Sequence, residues 1–110
     1  MSSNPEKGVV TDAAIAAIWE KYRDLNDQRI RAIERVAQAL NAGRLTEQVR
    51  TYGEQEAHKL AGAAGSFGYD EISSIARELE LAIHDAADHP PDPGSIKTKA
   101  VALRKAFKKS

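Results

Sequence analysis

A chain of 110 residues is long enough for one domain with a modest core and too short for several. Its sixteen basic and sixteen acidic side chains cancel, so bulk charge points to neither nucleic acid nor a membrane surface. The lack of cysteine excludes disulfides and thiolate metal sites.

Residues 1–10 read as a flexible leader. They carry no apolar signal core, and no run in the chain approaches a membrane span, so a cytoplasmic protein is expected. From Thr11 or Asp12, a plausible N-cap, the pattern is helical: Ile15, Ile18, Trp19, Tyr22 and Leu25, then Ile30, Ile33, Ala37 and Leu40. The apolar stripe changes phase around Asn26-Asp27-Gln28-Arg29, which predicts a short first segment leading into a long helix. Asn41-Ala42-Gly43 ends that helix, glycine being suited to a left-handed C-terminal position. The next helix starts near Leu45-Thr46 and carries Leu45, Val49, Tyr52, Leu60, Ala63 and Phe67 inward. Glu56 falls on the same face and is expected to pair with a basic side chain at its edge. Gly68 stops this helix, and Asp70 caps another through Ile72, Ile75, Ala76, Leu79, Ile83 and Ala86. After the break at His89-Pro90-Pro91-Asp92-Pro93-Gly94, a last helix buries Ile96, Ala100, Leu103 and Phe107. The fold class is therefore all-α: an antiparallel up-down four-helix bundle over residues 11–110, with a short additional N-terminal helical segment.

One stretch stands apart, Ala57-His58-Lys59-Leu60-Ala61-Gly62-Ala63-Ala64-Gly65-Ser66-Phe67-Gly68. At about 100° per residue, Gly62 lies roughly 40° from His58, Gly65 roughly 20° the other way and Ala61 roughly 60° away. Leu60, Ala63, Ala64 and Phe67 fall on the far side. The histidine thus faces outward on a strip of nearly bare backbone. A glycine inside a helix costs about 1 kcal/mol relative to alanine. Two of them beside one exposed histidine point to close approach by a second macromolecule.

This stretch, with Ile72, Ala76 and Leu79-Glu80 after it, resembles the histidine-containing phosphotransfer (HPt) domain family. That family's pattern is A-H-x-L-K-G, then spaced small residues and glycine, then an apolar helix ending in Leu-Glu. The likeness runs ungapped from Ala57 to Glu80, and the bundle extends it over nearly the whole chain. The resemblance implies a four-helix bundle that relays phosphoryl groups in two-component signalling, with His58 as phospho-acceptor. An imidazole is largely neutral and nucleophilic near neutral pH. Glu80 stands where the family places a Glu or Gln that holds Nδ1–H and leaves Nε2 to attack. Gly62, Gly65, Ala61 and Ser66, with Trp19 and Tyr22 from the first helix, would form the docking surface for a receiver domain. The family's lysine three residues after the histidine is here Ala61; Lys59, Arg77 and His84 are the residues placed to supply the missing charge.

The resulting expectation is a stand-alone, monomeric phosphoryl carrier rather than an enzyme. It would take phosphate from a receiver aspartate and pass it to another receiver, with a hybrid histidine kinase among its partners. No nucleotide-binding loop is present, and the magnesium needed for transfer would belong to the receiver. The alternative is an adaptor that docks receivers without carrying phosphate. His84 and His89 are five residues apart and no Glu-x-x-His pair occurs, so no metal site is expected. The cations of the last helix (Lys97, Lys99, Arg104, Lys105, Lys108, Lys109) suit a helix C-terminus, and without interleaved aromatics they do not suggest nucleic-acid binding.

Overall fold

Three side chains cap helices where the sequence expects them to begin, whereas Asp70, expected to cap a fourth, is the first residue of its helix behind Tyr69 and makes no cap bond. Thr11 Oγ1 accepts the Ala14 N–H at 3.1 Å, Thr46 Oγ1 accepts the Val49 N–H at 3.2 Å, and Asp92 Oδ1 accepts the Gly94 N–H at 3.2 Å. Each such cap contributes about 1 kcal/mol. The computed structural model describes residues 11–89 and 91–110; the leader assigned to residues 1–10 lies outside them. It contains α1 (Asp12–Lys21), α2 (Arg23–Asn41), α3 (Glu47–Ser66), α4 (Asp70–Asp85) and α5 (Pro93–Lys109). Gly43 and Gly68 take positive φ, at 67° and 82°, and reverse the chain after α2 and α3. Among the described residues, no helix is long and apolar enough to cross a membrane.

Helices α2, α3, α4 and α5 form an antiparallel ring in which each packs on two neighbours. Ile30, Ile33, Val36, Leu60, Leu79, Ile83, Ile96 and Leu103 fill the interior. A Cβ on Gly53 would lie 2.3 Å from Val36 Cγ2 and 3.3 Å from the Ala32 carbonyl, so glycine there lets α3 close on α2. Arg104 fastens the opposite side. Its guanidinium donates to Glu34 at 2.9 and 3.0 Å and to Asp27, tying α5 to α2. One member of the cationic row in the last helix is thus a structural tie.

Helix α1 crosses the end of the ring. Trp19 is only 1% exposed. It stacks at 4.4 Å on Tyr69, meets Phe67 and Phe107 edge-on, and donates its indole N–H to Ser110 Oγ at 2.9 Å. Trp19 therefore joins α1 to the α3–α4 turn and the end of α5, and it is not part of a docking surface.

The apparent change of phase in the first apolar stripe has a different origin from the one expected. The helix is interrupted at Tyr22, where φ is −100° and ψ 11°, and not at residues 26–29. The buried stripe runs Trp19, Asn26, Ile30, Ile33, Ala37, in constant phase through a polar residue. Asn26 is 1% exposed, and its Oδ1 accepts from Arg29 at 3.0 Å. Ile18, Tyr22 and Leu25 form a second stripe, displaced to one side and 39%, 45% and 41% exposed. Tyr52, expected inside, also faces outward.

Candidate functional site

The buried arc of helix α3 is not centred opposite His58 but is displaced toward one flank. Its buried positions are Arg50, Gly53, Glu56, Ala57, Leu60, Ala61 and Ala64. On a helical wheel they centre roughly 120° from the histidine, toward α4. Two consequences follow. The histidine stands at the rim of the α3–α4 seam, within reach of a side chain on α4. Ala61, on that same flank, is 2% exposed and part of the core, so it cannot be a docking residue.

At the rim, His58 Nδ1 lies 2.9 Å from Glu80 Oε2. A carboxylate can only accept, so a proton sits on Nδ1, and in the neutral imidazole this tautomer leaves the lone pair on Nε2. The imidazole is 72% exposed and Glu80 only 22%, so the acceptor of this bond lies in the seam while the ring projects. Their helices are locked in register one to two turns away: Ser73 Oγ donates to the Ala61 carbonyl at 2.8 Å. A Cβ on Gly65 would stand 3.1 Å from that hydroxyl, so Gly65 serves the fit of α4 on α3. Gly62 differs. A Cβ there would meet nothing within 4 Å, and nothing inside the molecule requires glycine at that position.

One turn from this pair stands its mirror image. His84 Nδ1 on α4 donates to Glu54 Oε2 on α3 at 2.8 Å. Glu54 is fixed from behind by Arg50, whose Nη1 donates to Glu54 Oε1 at 2.9 Å and to the Ile83 carbonyl at 3.3 Å. Burial of an arginine on the core side of α3 is not visible in a pattern of apolar residues, and the Arg50–Glu54–His84 chain was not foreseen. Its only trace in the sequence is the Glu-x-x-x-His spacing of Glu54 and His58, repeated as Glu80 and His84. The carboxylates of Glu47 and Glu54 hold Arg50 protonated, well above the ordinary range for its group, and the Arg50 guanidinium holds the Glu47 carboxyl below its own.

The remaining predicted residues are placed as follows. Lys59 Nζ sits 3.0 Å from Glu56 Oε2, which answers the need of that nearly buried carboxylate for a cation. Lys59 also borders the hollow around the site, with Glu54, Gln55, His58 and Glu80. Arg77 is exposed on α4 one turn before Glu80, and Ser66 is exposed on α3. Tyr22 is exposed, as expected, but it brings Ile18 and Leu25 with it. The antiparallel register that sets Gly53 against Ala32 and Val36 brings Leu25 level with Gly62, and Tyr22 level with Gly65 and Ser66. An apolar border therefore flanks the bare strip of α3. Leu25 and Ile18 are missed members of it, because sequence periodicity alone assigned them to the core.

Chemically, the arrangement offers one exposed, oriented imidazole nitrogen, a carboxylate behind it and an uncluttered approach. Comparison with known proteins agrees. A family model described as the Hpt domain matches residues 17–109. Protein RcaC of Microchaete diplosiphon is 32% identical over 62 residues, which is 56% of this chain and 10% of the relative. The chain thus spans about a tenth of the length of that protein. No solved structure matches it.

Proposed function

This chain belongs to the Hpt domain family, whose members are phosphocarrier modules of two-component phosphorelays, and we propose that it carries its phosphoryl group on Nε2 of His58. The observation that supports this most directly is the His58–Glu80 bond at 2.9 Å, which leaves an exposed ring nitrogen with its lone pair outward. In the step proposed, Nε2 attacks the phosphorus of a receiver's aspartyl phosphate. The P–N bond forms as the P–O bond breaks, and the aspartate leaves as carboxylate. The Nδ1 proton stays on the ring, and the Glu80 carboxylate offsets the positive charge that develops there. Return of the group to a second receiver reverses these events.

Positioning supplies most of the acceleration, as no strong base is required. The divalent cation belongs to the receiver. Gly62 and Ser66 with the apolar border of Ile18, Tyr22 and Leu25 form the docking face. In this reading Lys59, which borders the hollow around His58, and Arg77 and His84 on α4 are the side chains that would supply the positive charge the family places at the position of Ala61. The carrier acts as a unit separate from its receivers, with residues 11–110 forming its bundle. A second reading, an adaptor that docks receivers without taking phosphate, draws on the Lys59–Glu56 pairing and on Ala61, which together leave no dedicated cation beside His58.

The test is phosphoryl transfer from a panel of phosphorylated receiver domains to the wild-type chain and to His58→Gln. Acid-labile, alkali-stable label on the wild type alone is the expected result. Binding of a receiver by both proteins without label on either would replace the carrier with the adaptor.

A further inference from the structure

The outer face of the α2–α3 pair carries a second asymmetry, away from His58. Three adjoining depressions of about 150, 260 and 380 Å3 run along it, and Arg35 lines all three. Arg31 and Arg44 stand on either side of Arg35, and Tyr52 faces outward between the first two depressions. Gln28 and Gln48 add amide donors. No aspartate or glutamate lines any of the three. In a chain whose charges balance at sixteen and sixteen, a trough with three arginines and no carboxylate is a local excess of positive charge. Among the described residues, Arg31 pairs with Asp27 at 2.9 Å, whereas Arg35 and Arg44 have no carboxylate within ion-pairing distance.

We propose that this trough binds a carboxylate-rich segment of a partner protein. Guanidinium groups present forked donors that match carboxylates two bonds at a time, and all three cations here are arginine. From Gln28 to Ala42 the trough follows α2 for about 21 Å, the span of an extended segment of about six or seven residues. Tyr52 offers an apolar plate with a polar tip beside Arg35. A nucleic acid fits less well. One aromatic gives no succession of stacking platforms, and the balanced net charge opposes a long polyanion. The lining residues all lie between Gln28 and Tyr52, and the hollow that Lys59 shares with His58 and Glu80 is separate from them. The proposal stands apart from phosphate transfer and does not need His58 to be an acceptor.

The test is titration of the full chain with an octaglutamate peptide and with an octathymidylate, followed by amide chemical shifts. Expected are shifts confined to residues 28–52 with octaglutamate, weakened about tenfold on raising salt from 0.05 to 0.5 M, and a weaker response to octathymidylate. Arg35→Glu with Arg44→Glu should reduce octaglutamate affinity at least tenfold. Neither residue has an ion pair among the described residues, so the melting temperature should stay unchanged. Lys97→Glu, on the opposite groove between α2 and α5, should leave binding intact. Shifts elsewhere, affinity unchanged in the double variant, or tighter binding of octathymidylate in the trough would each overturn the proposal.

Discussion

Gly62 occupies the middle of α3 with nothing within 4 Å of the point where a Cβ would stand. Alanine there removes the entropic cost of a helical glycine, about 1 kcal/mol, and creates no clash. For a domain of this size that gain raises the melting temperature by about 4–8 °C. The same methyl projects into the approach to His58, about 40° round the helix and one turn on. Crowding a close-packed contact costs about 1–3 kcal/mol, so transfer from a receiver should slow by about five- to hundredfold at sub-saturating concentration. Gly53→Ala provides the contrast: its Cβ would lie 2.3 Å from Val36 Cγ2, so the bundle should lose stability. The assays are thermal unfolding by circular dichroism and single-turnover transfer from a phosphorylated receiver. A less stable Gly62→Ala, or one that is more stable and transfers at the wild-type rate, would refute the claim that this glycine serves an approaching partner.

Three further expectations concern other contacts. Glu80→Ala should slow transfer to His58 roughly ten- to hundredfold by freeing the ring, while Glu80→Gln, which still accepts from Nδ1–H, should retain most of the rate; equal losses in both would point to charge instead of orientation. Trp19 is the only tryptophan and is sealed in the end of the bundle, so its fluorescence should not change when a receiver docks, and a large change would return it to the interface. The Arg104 hydrogen bond and charge, with Arg31 beside them, hold the Asp27 carboxyl below its ordinary value. A depressed carboxyl stabilises the fold above its unfolded pKa and loses that contribution as pH falls through its folded one. Stability should therefore decline below about pH 4, and Arg104→Met should flatten this acid limb in urea titrations at successive pH values.

The helices, the caps at Thr11, Thr46 and Asp92 and the two positive-φ glycines were legible because each depends on residues close in sequence; the cap expected at Asp70 was misplaced by one residue. His58 and Glu80 were legible as a pair through resemblance, and the structure brings them to hydrogen-bonding distance. What the sequence hid depends on neighbours. Asn26 interrupts the buried stripe of α2, so periodicity followed Ile18, Tyr22 and Leu25 instead and turned an exposed border inward. Ala61 was read as exposed because the core was taken to lie opposite His58, whereas α4 draws the buried arc of α3 toward itself. Gly62 and Gly65 looked equivalent on a wheel; only the presence of Ser73 beside one of them separates a packing requirement from an open surface. Arg50 was overlooked because a buried guanidinium carries no apolar signature, and its place is set by Glu47, Glu54 and the Ile83 carbonyl together.

The histidine, its carboxylate and the hydroxyl that fixes their register all lie on α3 and α4, a single uninterrupted hairpin. The apolar border and most of the arginine trough come from α1 and α2, encoded upstream of it. On the proposed assignment, the phosphate-bearing pair and most of the partner-facing side chains thus lie in separate blocks of the chain, with Gly62 and Ser66 the hairpin's share of the docking face. The first block tolerates little change, since a one-turn slip of α4 on α3 would part His58 from Glu80. The second can vary at exposed positions such as Ile18, Leu25, Arg35 and Arg44 without disturbing that bond. Exchange of surface residues between related bundles should therefore redirect a carrier to a new receiver while leaving the hairpin, and the phosphate it would hold, as they are.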